Sequence, residues 1–216
     1  MLKLIAGAAA ALLGLALVAQ ASTQPESAEA SESQTTKEPF VYVHMKTSMG
    51  DIYLELNNEK APISTANFVQ YAQDKAYDGT IFHRVIENFM IQGGGFEPDM
   101  TQRKTREGIE NEWKNGLKNE KYTIAMARLG GRANSATSQF FINVKDNLFL
   151  DTPRDGAGYA VFGKVVKGFE TVDAIKKVPT TVRRGMQDVP VEPVVIEKVV
   201  VLSAEQVEEL GLNSDD

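Results

Sequence analysis

The feature that most constrains the fold is a series of short strand-like runs separated by glycine-rich or polar turns. Each run is rich in β-branched and aromatic residues, as β-strands are. The runs cover residues 40–46, 51–56, 80–86, 89–92, 122–127, 139–144, 160–165 and 194–202. Helical spacing of apolar residues occurs only at 62–75 and 169–177. Many short strands with few helices and no βαβ alternation predict an antiparallel sandwich or barrel, and closure into a barrel would remove exposed strand edges.

The N-terminus has the pattern of an export signal. Met-Leu-Lys is followed by sixteen uncharged residues, 4–19, and Ala19-Gln20-Ala21 at the end of this run supplies a small-x-small cleavage site. The apolar run is shorter than the roughly 20 residues that cross a bilayer. Residues 1–21 are therefore predicted to be a secretory signal peptide, with a periplasmic destination expected and full secretion as the alternative.

Acidic segments flank the predicted domain. Residues 22–38 contain no large apolar side chain and carry four glutamates against one lysine, which is typical of a disordered linker. Residues 204–216 are similarly acidic, and we expect this C-terminal tail to fray. The folded domain is accordingly predicted to span residues 39–203.

Composition excludes several classes of function. The 23 basic residues stand against 29 acidic ones, so no net positive field attracts nucleic acid. There is no cysteine, which excludes disulfides, thiolate metal sites and thiol nucleophiles. No phosphate-binding loop, nucleophile elbow, zinc-protease motif or dinucleotide fingerprint is present. We therefore expect no cofactor, no metal, no membrane partner after signal removal, and a monomer.

The stretch FHRVIENFMIQGGGF at residues 82–96 places one arginine, Arg84, among large apolar residues. Strict alternation puts Phe82, Arg84 and Ile86 on one face of a strand, opposite Ile81, His83 and Val85. Such an arginine is costly unless it has partners, and Gln92 on the next strand could hold the guanidinium. The pattern fits a ligand pocket and a core arginine tied to a carboxylate equally well.

The stretch SATSQFFINV at residues 135–144 forms a second amphipathic strand. Alternation places Gln139, Phe141 and Asn143 on one face. The opposite face carries Phe140, Ile142 and Val144. An aromatic ring on the polar face, with glutamines and an arginine nearby, matches the general description of a small-ligand site.

These two stretches, with YAVFGKVVKG at residues 159–168, resemble the cyclophilin family of peptidyl-prolyl cis-trans isomerases, most closely its exported bacterial type. The resemblance spans roughly residues 40–202. It implies a closed eight-stranded antiparallel β-barrel capped by two α-helices. It also implies isomerase activity on proline-containing unfolded or folding polypeptides of the envelope or of secreted proteins.

The resemblance assigns the catalytic arginine to Arg84 and the glutamine that orients it to Gln92. The implied substrate-binding residues are Phe89, Met90, Ala127, Arg128, Gln139, Phe141, Phe149, Leu150 and Tyr159. Three of these depart from the best-known pattern, because Phe149, Tyr159 and Arg128 stand where many members have tryptophan, histidine and asparagine. The loss of the indole N–H predicts weak or no binding of cyclosporin, and the phenol of Tyr159 is expected to alter substrate preference.

The chemistry needs few groups because prolyl rotation breaks no bond. The barrier of roughly 18–20 kcal/mol comes from amide resonance. A guanidinium that hydrogen-bonds the prolyl nitrogen only in the twisted state lowers that barrier. Rotation transfers no proton, so His83 is interpreted as a packing residue. A non-catalytic proline-peptide-binding chaperone is the main alternative, and a hydrolase with an unrecognised triad is a more distant one.

Phe89 and Met90 pose a geometric problem for the predicted pocket. They are adjacent in the chain, so strict alternation cannot direct both side chains into one cavity. An irregular strand start or a bulge is therefore required.

Overall fold

Eight antiparallel strands form a closed barrel in the computed structural model, which describes residues 38–153 and 155–212. The barrel strands are β1 (Phe40–Thr47), β2 (Gly50–Asn57), β3 (Thr80–Ile86), β4 (Met90–Gly93), β5 (Thr123–Met126), β6 (Phe140–Asn143), β7 (Val161–Lys167) and β10 (Val195–Val201). Two further strands, β8 (Thr180–Arg183) and β9 (Met186–Pro190), lie outside the barrel. The helices are α1 (Pro62–Gln73), α2 (Phe169–Ile175) and α3 (Ala204–Glu209), and a short 3₁₀ helix covers Leu148–Asp151. The predicted barrel class is confirmed.

The barrel closes through its first strand. The strand order is β1-β10-β3-β4-β6-β5-β7-β2, and β8 pairs with β9 in a separate two-stranded sheet. Val43 of β1 is opposite Leu54 of β2 on one side and Val201 of β10 on the other. Every barrel strand therefore has two hydrogen-bonded neighbours, and no barrel edge is left open.

Alternating apolar side chains fill the barrel interior. Phe82, Phe140 and Phe162 are fully buried there, and Phe68 of α1 packs against Phe140 with 5.5 Å between ring centroids. Val172 of α2 belongs to the same buried cluster. The two longer helices thus complete one hydrophobic core whose burial is the main favourable term in folding.

Helix α1 receives its N-terminal cap from outside the helix. Pro62 occupies the first turn, as the sequence predicts, but the N-cap position, Ala61, has no side chain able to accept a hydrogen bond. Glu112 replaces it, because its carboxylate accepts hydrogen bonds from the N–H of Ile63 (2.9 Å), the N–H of Ser64 (2.8 Å) and the Ser64 hydroxyl (2.6 Å). The loop that carries Glu112 is thereby tied to the start of α1.

The eight predicted strands all occur, with ends that differ from the prediction by no more than two residues. Sequence patterning missed the β8–β9 hairpin, because β8 is mostly exposed and buried and exposed residues do not alternate along β9. The expectation that the C-terminal tail frays is wrong for residues 204–209, which form α3. A Ser203–Gln206 capping box starts this helix, and Val207 is buried.

The predicted common face of Phe82, Arg84 and Ile86 is wrong for Phe82. The β3–β4 register shifts between Phe82 and Arg84, so His83 is an extra residue in a bulge. Phe82 therefore lies in the barrel core, whereas Arg84 faces out of the barrel.

The predicted signal peptide and nearly all of the predicted linker lie outside the described residues. Within the described part of the chain, no helix combines the length and the apolarity needed to cross a bilayer.

Candidate active site

A small cavity of about 160 Å³ lies on the outer face of the barrel, beside β3, β4 and β6. We call it the Arg84 cavity. Its lining residues are Arg84, Phe89, Met90, Gln92, Ala127, Arg128, Phe141, Leu150 and Tyr159. All nine were predicted as site residues. Pockets for drug-sized molecules measure roughly 300–1,000 Å³, so this cavity fits one compact side chain.

The floor of the Arg84 cavity is apolar. Met90, Phe141 and Leu150 are buried and pack in a cluster separate from the barrel core. Phe141 lies between the core residues Phe140 and Ile142, so it faces out of the barrel. Such a surface binds an apolar ring and excludes water from the groups beside it.

Phe89 and Met90 both line the cavity because β4 begins only at Met90. Phe89 lies in the preceding turn, where its backbone is not bound by strand alternation. The irregular strand start that the prediction required is therefore confirmed. Phe89 also stacks on Phe149, with 5.7 Å between the ring centroids.

Arg84 lies at the rim of the cavity with a 40% exposed side chain. Its Nε is 3.8 Å from Oδ2 of Asp188. Among the residues that the structure describes, no hydrogen-bond acceptor engages the Arg84 guanidinium, so its N–H groups are free to donate to a bound molecule. Arg84 is thus neither buried in the core nor locked to a carboxylate away from the cavity.

Gln92 stands opposite Arg84 in the β3–β4 register, but its side chain does not hold the guanidinium as predicted. The Gln92 amide instead donates to Oε1 of Gln139, at 2.9 Å. Gln139 lies outside the Arg84 cavity and lines an adjoining cleft of about 280 Å³ together with Gln102, Thr105, Ser135 and Thr137. The last four residues were missed, because loop residues without a periodic pattern carry no sequence signal for a pocket.

Arg128 forms a rigid wall of the cavity. Its side chain is only 2% exposed and pairs with Asp155 at 2.5 Å, while its guanidinium lies 4.5 Å from the ring centroid of Tyr159. Hydrogen bonds from Arg128 and from the Gly131 N–H lower the pKa of Asp155 to about 2. At neutral pH Asp155 is therefore an ionised carboxylate that pairs with the guanidinium of Arg128.

The backbone of Arg128 is open to a partner. Ala127 donates its N–H to the carbonyl oxygen of Gln139 at 3.0 Å. Within the described residues, the N–H and carbonyl of Arg128 itself have no hydrogen-bond partner. An extended peptide can pair with Arg128 at this point, in the way that an added strand pairs with a free edge.

Phe149 lies next to the Arg84 cavity rather than in it. It lines a third cleft of about 270 Å³ with Thr152, Asp155 and Tyr159, and it is 45% exposed. Arg128 lines this cleft and both of the others. The predicted site residues therefore follow a groove with the Arg84 cavity between two clefts.

A network of buried asparagines holds the cavity from behind, and the sequence analysis did not identify it. Asn147 donates to the carbonyl oxygen of Phe89 and to Oδ1 of Asn143, each at 2.7 Å. Asn119 donates to Asp151 in the 3₁₀ helix at 2.8 Å, and Asn143 donates to Asn119 at 3.0 Å. These bonds fix Phe89 and the 3₁₀ helix that carries Leu150.

His83 is buried and lies outside the cavity, with its ring 4.6 Å from that of Phe96. Burial lowers the pKa of His83 to about 4, and the neighbouring Arg84 charge acts in the same direction. The side chain is thus neutral at physiological pH, as expected for a packing residue. Across the described ranges, no group of three or more His, Asp or Glu side chains is placed to hold a metal ion.

A larger cleft of about 900 Å³ runs along α1, beside Pro62, Ile63 and Val69. It contains none of the predicted site residues and no arginine. The smaller cavity is the better candidate, because it combines an apolar floor with a cation whose N–H groups are free.

Comparison with known proteins matches the chain to one family. The family model "Cyclophilin type peptidyl-prolyl cis-trans isomerase/CLD" matches residues 42–201. The chain is 58% identical over 164 residues to a peptidyl-prolyl cis-trans isomerase of Streptomyces antibioticus, covering 74% of this chain and 98% of that protein. It is 53% identical over 163 residues to peptidyl-prolyl cis-trans isomerase B of Escherichia coli, again covering 74% and 98%.

A solved structure agrees with these sequence matches. A cyclophilin-type isomerase of Cryptosporidium parvum, crystallised in the presence of the dipeptide Ala-Pro, superposes with a TM-score of 0.64 at 28% identity. The match covers 75% of this chain and 99% of that one.

Proposed function

The chain belongs to the cyclophilin family of peptidyl-prolyl cis-trans isomerases, and we propose that it accelerates Xaa-Pro bond rotation in unfolded or folding polypeptides. The observation that carries the proposal is the placement of Arg84, whose free N–H groups lie at the rim of an apolar cavity sized for one ring. The two bacterial relatives described above carry the same activity in their names.

The geometry supports a mechanism without bond cleavage. The substrate backbone pairs with Arg128, and the pyrrolidine ring enters the Arg84 cavity against Met90 and Phe141. As the amide twists, the prolyl nitrogen becomes pyramidal and its lone pair accepts a hydrogen bond from Arg84. That bond exists only in the twisted state, so it lowers the barrier instead of tightening ground-state binding. The apolar floor strengthens it by lowering the local dielectric.

Arg84→Ala tests the role of the arginine. We expect the isomerisation rate of a short Xaa-Pro peptide to fall by about 10²–10³. This is the usual effect in other enzymes of removing one hydrogen-bond donor to the transition state. The measurement is protease-coupled cis-trans exchange, with circular dichroism to verify folding. Lys198→Ala, which removes an exposed cation from the neighbouring strand β10, is the control and should keep wild-type activity.

If well-folded wild-type protein left cis-trans exchange at its uncatalysed rate, the enzyme proposal would be contradicted. A proline-peptide-binding chaperone that uses the same cavity would then be the remaining function. Loss of activity in Lys198→Ala equal to that in Arg84→Ala would show that general positive charge, and not the placed donor, is responsible.

We also propose that cyclosporin inhibits this protein weakly, because the side chain of Phe149 has no N–H that could donate to the inhibitor. Restoring the donor with Phe149→Trp should tighten inhibition by about 2- to 10-fold, the usual value of one net hydrogen bond. Inhibition constants are measured in the same assay, with Phe169→Trp as a control, since Phe169 is exposed on α2. Equal inhibition of the wild type and Phe149→Trp would contradict this proposal.

We further propose that the protein is exported to the periplasm. There it acts as a monomer on envelope or secreted polypeptides. The support for export is the signal-peptide pattern of residues 1–21. Mass spectrometry of the protein from a periplasmic fraction should find a chain that starts near Ser22. Leu13→Arg, which interrupts the apolar run, should keep the full-length chain in the cytoplasm. A full-length wild-type chain in the cytoplasm would contradict export.

A further inference from the structure

One carboxylate outside the barrel faces the catalytic candidate. Oδ2 of Asp188 is 3.8 Å from Nε of Arg84, and the two side chains are 38% and 40% exposed. Within residues 38–153 and 155–212, no other acidic side chain pairs with Arg84. The distance is longer than a hydrogen bond, so the attraction between the two groups is coulombic.

Asp188 reaches Arg84 because the backbone of β9 is distorted. Thr181 of β8 pairs with Val189, and Arg183 pairs with Met186, so β9 contains an extra residue between these two pairs. Such a bulge redirects a side chain that a regular strand would point elsewhere. Asp188 also has φ of 59°, in the left-handed region that non-glycine residues rarely adopt. Residues held in this conformation cluster at functional sites.

The neighbours of Asp188 fix this distorted segment to the barrel. Val189 is buried against Ile81 of β3 and Met100, and Met186 packs on the same cluster. Because Ile81 and Arg84 share strand β3, the same packing that anchors β9 sets the distance between Asp188 and Arg84. Gln92 does not perform this task in the structure: its amide N–H donates to Gln139, and among the described residues no hydrogen bond joins its amide oxygen to Arg84.

We propose that Asp188 is a positioning residue for Arg84. Its carboxylate attracts the Nε side of the guanidinium and so leaves the terminal nitrogens directed at the Arg84 cavity. This role rests on the proposed isomerase function. It adds a residue from the β8–β9 hairpin, outside the barrel, to a site otherwise built on barrel strands and their loops.

Asp188→Asn tests the proposal. Asparagine tolerates the left-handed conformation and keeps the side-chain shape, so this variant removes only the charge. Exposed ion pairs have modest strength, so kcat should fall by about 2- to 5-fold. KM should stay unchanged, because Arg84 acts in the twisted state. Glu197→Gln, which breaks the exposed pair with Lys46 of β1, is the matched control and should keep wild-type kcat, because neither residue lines the cavity or its adjoining clefts.

Two further measurements, one at high salt and one in the Arg84→Ala variant, separate a positioning role of Asp188 from a general effect on the structure. At 1 M salt the screening length is about 3 Å, so the difference between the wild type and Asp188→Asn should shrink. In the Arg84→Ala background, adding Asp188→Asn should cause no further loss, since the group that it positions is gone.

Three outcomes would overturn the role of Asp188 in an active enzyme. They are an unchanged kcat in Asp188→Asn at low salt, a loss that appears in KM instead, and an equal loss in the Arg84→Ala background. An inactive wild type would instead overturn the proposed function itself, so the two failures are distinguishable.

Discussion

Adjacent residues on β3 meet very different environments. His83 is the extra residue of the bulge and is 1% exposed, whereas Arg84 lies at the cavity rim. Burial disfavours the charged imidazole, which is why the pKa of His83 falls to about 4. The same bulge that places Arg84 at the cavity rim therefore also buries a histidine that is neutral at physiological pH.

This histidine makes stability depend on pH. Between pH 6.5 and pH 4 the unfolded chain protonates at His83 and the folded chain does not, so the free energy of unfolding falls as the pH falls. The difference between the pKa of 6.5 in the unfolded chain and about 4 in the folded one corresponds to a loss of about 3 kcal/mol in the free energy of unfolding between pH 6.5 and pH 4. His83→Gln should remove this part of the decline. Urea denaturation at pH 7.5 and pH 4.5 measures it, and an unchanged pH slope in the variant would contradict the assignment.

At the scale of elements, the placement of α1 depends on a residue far away in the chain. The helix has no N-cap side chain of its own, and Glu112 accepts the N–H groups of Ile63 and Ser64. A carboxylate at a helix N-terminus also interacts favourably with the helix dipole. One loop side chain therefore secures the helix that closes the core with Phe68.

Glu112→Ala should lower the free energy of unfolding by about 1–2 kcal/mol, the usual value of an N-cap contact. Chemical denaturation measures the loss. Glu110→Ala, which removes an exposed carboxylate two residues earlier in the same loop, is the control and should change stability little. Equal effects from the two variants would show that the cap contributes nothing specific.

At the scale of the whole molecule, closure of the barrel joins the two ends of the domain. β1 lies between β2 and β10, so the last barrel strand completes the pairing of the first. The same strand β10 also pairs with β3, which carries Arg84. Strand β3 is therefore supported by the last strand of the barrel.

Removing residues 195–216, and with them β10, should prevent folding, because β1 and β3 would then expose unpaired edges. We expect aggregation in size-exclusion chromatography and no cooperative thermal transition. A chain that lacks only residues 213–216 is the control and should unfold like the wild type. A monomeric, cooperatively unfolding truncated domain would contradict the role of closure.

The alternation of apolar and polar residues predicted the strands, an antiparallel sandwich or barrel, and a polar face that includes Arg84, Gln92 and Phe141 of the cavity lining. Local alternation carries this information, since burial of one face is decided within a few residues. The resemblance to a family added the closed eight-stranded barrel, the proposed role of Arg84 and the remaining lining residues of the cavity. Alternation failed where the bulge at His83 shifted the β3–β4 register, and it missed the β8–β9 hairpin.

Only the tertiary structure decided which distant groups meet. The approach of Asp188 to Arg84, the Glu112 cap and the buried asparagines around Asn143 join segments whose contacts depend on loop paths and register. A polar residue in a loop has the same local pattern whether it faces solvent or a partner. Its energetic value depends on desolvation and on the partner that the fold brings to it, and neither can be read from its neighbours in the chain.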